Sequence, residues 1–285
     1  MSRSKYVLRL SCPDRVGVVA TVTSCLAGRG ANVLEAHHFL DPVSNRSVLR
    51  IVFESANSPF DHAELGRQIG QALQPLGIDW TLRELANRVR VVIAVSRQGH
   101  CLMSLLHRWS SGTLPVDVVA VVSNHDDQRR LTEWYGLPFH HLPIEGGRKD
   151  EQEQRLLGVF QEHRGELLVL ARYMQILSAP ACRELKGRAI NIHHSFLPGF
   201  KGAKPYHQAY QRGVKLIGAT AHYVNEDLDE GPIIEQAVER VDHTCTAEEL
   251  TTIGNEIESV VLNRAVRWHA ESRVFEFGSR TVVLR

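Results

Sequence analysis

NRVRVVIAVSR, residues 87–97, decides the fold class of most of this chain. Its Val and Ile residues run together and do not alternate with polar ones, which is typical of a parallel strand buried on both faces. The same pattern returns in VDVVAVVSN (116–124) and GELLVLARY (165–173), and helical stretches are predicted between these runs, near 99–110 and 148–164. Alternating strands and helices predict an open, doubly wound, mostly parallel α/β sheet.

The residues before this stretch follow a different pattern. YVLRLSC (6–12) alternates like a half-buried strand, and an amphipathic helix is predicted over 16–29. Two strand-like runs flank PVSNR (42–46), a helix is predicted over 61–74, and a last strand lies in IDWTLREL (78–85). The order β-α-β-β-α-β is the ferredoxin-like arrangement. We therefore predict two domains, residues 1–86 and 87–285.

Composition excludes several classes of protein. Lys and Arg total 33 against 32 Asp and Glu, so no strong field favours nucleic acid or an anionic membrane. No apolar run reaches the roughly 20 residues that cross a bilayer, and the N-terminus does not resemble a signal peptide. Five cysteines without a CxxC pair indicate reduced thiols and a cytoplasmic protein. Neither HExxH nor a Cys/His zinc spacing occurs among the 15 histidines, so we expect no metal site.

NIHHSFLPGFKG, residues 191–202, follows the strand-like AINI and carries candidate chemistry. Ligands in open α/β sheets bind beyond the carboxyl ends of the strands. Asn191 and His193 are two residues apart, so an extended backbone directs both side chains to one side. A carboxylate, Asp229, lies in a loop between two apolar runs. An amide, an imidazole and a carboxylate suit attack on a carbonyl, because they can stabilise an oxyanion, move protons and orient the imidazole or activate water.

A structural interpretation of these residues is equally open from spacing alone. Asn191 then satisfies a turn, His193 is a core histidine, and the acidic loop around Asp229 is solvated. Local sequence does not show that Asp229 meets His193, nor which carbonyl is attacked.

NIHHSFLPGFKG, followed by LDEGPII at 228–234, resembles the folate-dependent formyltransferase family over about residues 88–285. The resemblance implies that Asn191, His193 and Asp229 are catalytic, and that ARYMQILS (171–178) contacts the pterin. It implies no metal and no organic cofactor, since the folate is the substrate, and in a partly dry site we expect the pKa of Asp229 to be raised. The implied substrate-binding residues are Met174, Gln175, Ile176, Leu177, His222, Val224 and Asp227. Of the basic residues Lys201, Lys204, Arg212 and Lys215, which suit a solvated face, some could meet an anionic glutamate tail.

One departure from the transferase pattern points to water as the acceptor. AVSRQGHCLMSLL (94–106) has a single Gly where transferases of glycinamide ribonucleotide have a Gly/Ser-rich phosphate loop. The expected reaction is hydrolysis of 10-formyltetrahydrofolate to formate and tetrahydrofolate, which supplies formate for purine synthesis and balances the one-carbon folate pool. The alternatives are transfer to an amine, or a catalytically inactive regulator that binds a folate or an amino acid.

CPDRVGVVATVTSCLAGRGANV, residues 12–33, resembles an ACT regulatory domain. The resemblance implies an amino-acid effector at a subunit interface, with Asp14, Arg15 and Gly17 in the turn and Asn32 nearby, and it implies a homo-oligomer, a dimer or a tetramer. Gly17 also fits a plain strand-to-helix turn. The arrangement of an ACT-like domain followed by a formyltransferase-like domain resembles the formyltetrahydrofolate deformylase family, and this resemblance covers the whole chain.

Overall fold

The computed structural model describes residues 4–56, 60–197 and 205–285. By its internal contacts the chain divides into two compact units. One comprises Met1–Arg88, Glu271–Phe277 and Val282–Arg285, and the other comprises Val89–Ala270 and Gly278–Thr281. Within the described ranges, no helix has both the length and the apolar composition that crossing a membrane requires. The domain limits 1–86 and 87–285 stay a prediction.

The first unit is a four-stranded antiparallel sheet with two helices, in the order β2-β3-β1-β4. Its elements are β1 (Lys5–Pro13), α1 (Val18–Ala27), β2 (Ala31–Asp41), β3 (Arg46–Ser55), α2 (His62–Leu73), a 3-10 turn (Gln74–Leu76) and β4 (Asp79–Glu84). Alternate residues of β1 and β3 pack with the apolar faces of both helices in one core. The Asp61 carboxylate caps α2 by accepting hydrogen bonds from two backbone N–H groups of its first turn. The predicted βαββαβ order is confirmed.

The second unit is built on a seven-stranded sheet in the order β11-β10-β9-β8-β5-β6-β7. Its strands are β5 (Val89–Val95), β6 (Val116–Ser123), β7 (Phe139–His141), β8 (Leu167–Leu170), β9 (Ala189–His193), β10 (Leu216–Tyr223) and β11 (Ile233–Arg240). Its helices are α3 (His100–Ser110), α4 (Arg129–Trp134), α5 (Lys149–Glu162), α6 (Ala179–Glu184), α7 (Pro205–Arg212) and α8 (Ala247–Ala270). Two further strands follow α8: β12 (Val274–Phe277), which belongs to the first unit, and β13 (Arg280–Val283).

The strands with uninterrupted apolar runs lie in the middle of this sheet. β5 pairs in parallel with β6 and β8, and β8 pairs in parallel with β9, whereas β10 runs antiparallel to both of its neighbours. Central strands are covered on both faces, so a continuous run of Val and Ile suits them. The predicted doubly wound, mostly parallel α/β fold is confirmed. It brings the polar residues that follow β5, β8 and β9 to one edge of the sheet.

Candidate active site

Strands β9 and β10 place the first three site residues beside one another. Asn191 and His193 lie on β9, and the antiparallel register sets His222 opposite Asn191 and Thr220 opposite His193. Thr220 is fully buried, and its hydroxyl donates to the carbonyl of Ser195 and accepts from the backbone N–H of Leu197. The turn after β9 is therefore fixed by β10.

The fourth residue, Asp229, comes from the loop between β10 and β11. Its φ of 59° lies in the left-handed region, which is uncommon for a residue other than glycine and recurs at functional sites. Gly231 brings this loop against β10, because a Cβ at that position would lie 1.7 Å from the carbonyl oxygen of Tyr223. The Tyr223 N–H in turn donates to the carbonyl of Pro232. Gly231 and the loop conformation together direct the Asp229 carboxylate toward β9.

The four side chains form one hydrogen-bonded cluster. His193 Nδ1 lies 3.1 Å from Asp229 Oδ2, and Asn191 Nδ2 donates to Asp229 Oδ1 at 3.4 Å. Asn191 Nδ2 also lies 3.3 Å from His222 Nε2. The structure therefore brings Asn191, His193 and Asp229 together, and it adds His222 to the same cluster.

The hydrogen bonds determine the tautomers of both imidazoles. A carboxylate only accepts, so the proton of neutral His193 sits on Nδ1, and its Nε2 carries a lone pair. Neutral His222 must likewise donate from Nδ1 to the carbonyl of Tyr223 at 2.9 Å and accept from Asn191 at Nε2, whereas protonated His222 faces Asp229 Oδ1 with Nε2 at 3.6 Å. His193 Nε2 is buried and has no hydrogen-bond partner among the described residues. That nitrogen is the free base of the cluster.

The pKa of Asp229 lies well below its ordinary value. Burial alone would raise this pKa, but it is outweighed by hydrogen bonds from His193 and His222 and by the positive charge that these imidazoles carry when protonated. The expectation of a raised pKa was wrong, because the sequence did not reveal that two imidazoles face this carboxylate. A carboxylate of such low basicity is a weak base toward water. It is better suited to orient an imidazole and to stabilise its protonated form.

These residues line a cavity of about 600 Å³. The predicted substrate-binding residues also line it: Met174, Gln175, Ile176, Leu177, His222, Val224 and Asp227. Met174 and Ile176 are more than half exposed, so the cavity offers apolar side chains at its surface. Residues 198–204 lie outside the described residues, and Lys201 and Lys204 are among them.

A second polar cluster, which the sequence did not reveal, lies around Glu258 of α8. This fully buried carboxylate accepts from Tyr206 at 2.7 Å and from His100 at 2.8 Å, and Arg172 Nε lies 3.4 Å away. Arg172 and Tyr206 also line the cavity. An isolated Glu in a long helix gives no sequence signal that distinguishes it from a surface residue.

The Glu258 cluster contains the group of described residues, His100, Cys101 and Glu258, whose donor atoms could converge on a metal ion. His100 and Glu258 are instead hydrogen-bonded to each other. Burial raises the pKa of the Cys101 thiol far above its ordinary value, and the Arg172 cation lies beside the carboxylate. A neutral thiol and a nearby cation both oppose metal binding. We propose no metal here.

The residues predicted to bind an effector lie in the first unit. Asp14 follows β1, its backbone N–H donates to the carbonyl of Asn45, and Gly17 is the N-cap of α1 with φ of 92°. Arg15 is exposed in the same turn. Asn32 pairs with Glu54 near the far end of β3, whereas Asp14 lies next to the Asn45 end. One chain therefore does not bring Asn32 to the turn, and the effector site stays a prediction that needs a second chain.

The fold and the Asn-His-Asp cluster define the class of protein. The family model described as Formyl transferase matches residues 89–266. A glycinamide ribonucleotide transformylase 1 from Symbiobacterium toebii is 30% identical with a TM-score of 0.64, and the match covers 70% of this chain and 95% of that one. The catalytic unit is therefore that of the formyl transferases.

Two further matches extend over nearly the whole chain. A formyltetrahydrofolate deformylase from Corynebacterium sp. (strain P-1) is 49% identical over 99% of this chain and 98% of its own length. The crystal structure of a formyltetrahydrofolate deformylase from Burkholderia mallei ATCC 23344 is 49% identical with a TM-score of 0.94, over 99% of this chain and 100% of that one. The chain belongs to the formyltetrahydrofolate deformylase family, as its sequence motifs predicted.

Proposed function

We propose that Asn191, His193 and Asp229 carry out the hydrolysis of 10-formyltetrahydrofolate to formate and tetrahydrofolate in this chain. The main support for this proposal is the 3.1 Å contact between His193 Nδ1 and Asp229. It leaves His193 Nε2 buried, with a lone pair that has no hydrogen-bond partner among the described residues. An imidazole oriented by a carboxylate is a general base that works near neutral pH. Membership of the deformylase family supplies the substrate.

His193 moves the proton that hydrolysis requires. Its Nε2 takes a proton from water as the water oxygen bonds to the formyl carbon, and the Asp229 carboxylate stabilises the imidazolium that forms. The imidazolium then gives this proton to N10 of the folate as the carbon–nitrogen bond breaks. Formic acid leaves, and it loses its own proton to solvent as formate. Asp229 stays ionised throughout, which agrees with its lowered pKa.

Asn191 stabilises the negative charge on the formyl oxygen. Its Nδ2 now donates to Asp229 and approaches His222 Nε2 at 3.3 Å, so a bound substrate must compete with these contacts. A donor turned toward a developing oxyanion stabilises the transition state by about 3 kcal/mol. His222 keeps the amide oriented until then.

The cavity is the proposed folate site. Met174, Ile176 and Leu177 offer apolar surface for the pterin, and Gln175, His222, Val224 and Asp227 line the same space. A volume of about 600 Å³ is within the range of sites that enclose one small molecule. The reaction as proposed uses no metal and no organic cofactor.

Labelled water separates hydrolysis from transfer. Purified protein with 10-formyltetrahydrofolate in ¹⁸O water and no amine should release formate and tetrahydrofolate in equal amounts, and mass spectrometry should find solvent oxygen in the formate. Glycinamide ribonucleotide should neither accelerate the reaction nor become formylated. A formylated amine in place of labelled formate would show a transferase, and bound folate without turnover would show an inactive regulator.

The remaining expectations are proposals about the chain in the cell. We propose a cytoplasmic homo-oligomer whose first 86 residues bind an amino acid, and whose formate feeds purine synthesis. β2 supports the oligomer, because it is an edge strand of its sheet and exposes apolar side chains, among them Val33, Leu34, Phe39 and Leu40. Gel filtration with light scattering tests the oligomer, and turnover with added amino acids tests the effector.

A further inference from the structure

A second imidazole lies next to the catalytic histidine. His194 immediately follows β9, lines the same cavity, and has its ring centroid 4.7 Å from that of His193. Its Nδ1 is buried and has no hydrogen-bond partner among the described residues, as is also true of His193 Nε2. A buried polar atom without a partner is costly, so two such atoms on neighbouring rings require a functional reason.

His194 is neutral at neutral pH. Burial, the Arg172 cation and His193 together lower the pKa of His194 to about 4. The cation is held in place, because Glu258 lies 3.4 Å from Arg172 and Gln98 accepts from the same guanidinium at 2.9 Å. The Arg172 cation, held by Glu258 and Gln98, thus favours a neutral imidazole, which can carry a lone pair on Nδ1.

We infer that His193 Nε2 and His194 Nδ1 together bind the nucleophilic water, which makes His194 a further catalytic residue. The inference rests on the proposed hydrolysis. A water that donates one hydrogen to each nitrogen has both of its lone pairs free to face the formyl carbon. Only His193 accepts the proton during attack, since its imidazolium is stabilised by Asp229. His194 keeps its hydrogen bond to the oxygen, which has become the hydroxyl of the tetrahedral intermediate.

Three substitutions at His194 separate this role from a structural one. The amide of His194→Asn returns a polar atom to the position of Nδ1, whereas the amide of His194→Gln lies farther out and His194→Ala has none. The matched control is His107→Gln, an exposed histidine in the last turn of α3 that does not line the cavity. Circular dichroism shows whether each variant is folded.

The experiment measures kcat for formate release and Kd for tetrahydrofolate on the full chain. We expect the Gln and Ala variants to lose about tenfold or more in kcat, the effect of one hydrogen bond in the transition state. The Kd should stay within about twofold, and the Asn variant should keep most of its turnover.

The inference is overturned if the folded His194→Gln variant keeps the wild-type kcat, or if His194→Asn loses as much kcat as His194→Gln. If Ala does not fold, the Asn and Gln pair decides. Wild-type protein that releases no formate would instead reject the proposed hydrolysis, so the two failures are distinguishable.

Discussion

The Asp229 loop and the middle of helix α8 each hold a carboxylate against histidine, yet only the first belongs to the proposed reaction centre. In both, burial alone would raise the carboxyl pKa, and nearby donors hold it below its ordinary value. Glu258 has both oxygens occupied by side chains from packed helices, Tyr206 and His100. Asp229 holds His193, whose other nitrogen has no partner among the described residues. The proposed reaction centre is therefore the cluster whose hydrogen bonds leave one buried nitrogen able to accept a proton.

Of the changes that test this comparison, removal of the Asp229 charge should have the largest effect, and the effect should be on turnover. Asp229→Asn should lower kcat at least about a hundredfold while folate binding stays within a few-fold, because the charge stabilises an imidazolium that exists only during turnover. Steady-state kinetics and equilibrium titration measure the two quantities. Near-normal turnover in a folded variant would remove Asp229 from the mechanism.

Removing the charge of Glu258 in the same way should mainly lower the stability of the fold. Glu258→Gln leaves the Arg172 guanidinium, only 10% exposed, without its carboxylate, so the free energy of unfolding should fall by about 3 kcal/mol. Urea denaturation measures it. Glu133→Gln, which loses an exposed pair with Arg129 in α4, should change it by less than about 1 kcal/mol. Equal losses in both variants would contradict a special role for the buried pair.

Displacing the Asp229 loop without changing its charge tests the geometry. Gly231→Ala sets a methyl group against the Tyr223 carbonyl, so the loop must shift and kcat should fall about tenfold. Gly158→Ala in α5 is the control, because a Cβ there meets nothing within 4 Å and should not reduce kcat. Unchanged kcat in Gly231→Ala would mean that the position of Asp229 is not critical.

The smallest effect is a pH dependence from His194. Its pKa falls from an ordinary 6.5 to about 4 in the folded chain, so between these values the unfolded state binds more protons. Its contribution to stability is complete above pH 6.5 and is lost as the pH falls toward 4, with a slope of at most about 1.4 kcal/mol per pH unit. Denaturation of wild type and His194→Asn across this range should diverge, with the wild type losing more. Parallel curves would contradict a neutral buried His194.

Much of the fold was predictable because its signals are local. The apolar run of β5 indicated a strand buried on both faces, and the βαββαβ order of the first unit followed from alternation and turn residues. Asn191 and His193 were found because a two-residue spacing on a strand puts both side chains on one side. His222 appeared in the sequence only as an expected substrate contact, since its pairing with Asn191 depends on the register of β9 against β10.

By itself the sequence determined the two fold classes, the order of most elements, the family, and the polar residues at the end of β9. These depend on periodicity and on residues close together in the chain. Only the tertiary structure decided that Asp229 meets His193, that the pKa of Asp229 is lowered, and that the Arg172 cation, paired with Glu258, acts on His194. The physical reason is that charges and hydrogen bonds depend on distance in space, whereas Asp229 lies 36 residues from His193 and Glu258 lies 86 residues from Arg172 in the sequence, and only the fold brings these partners together.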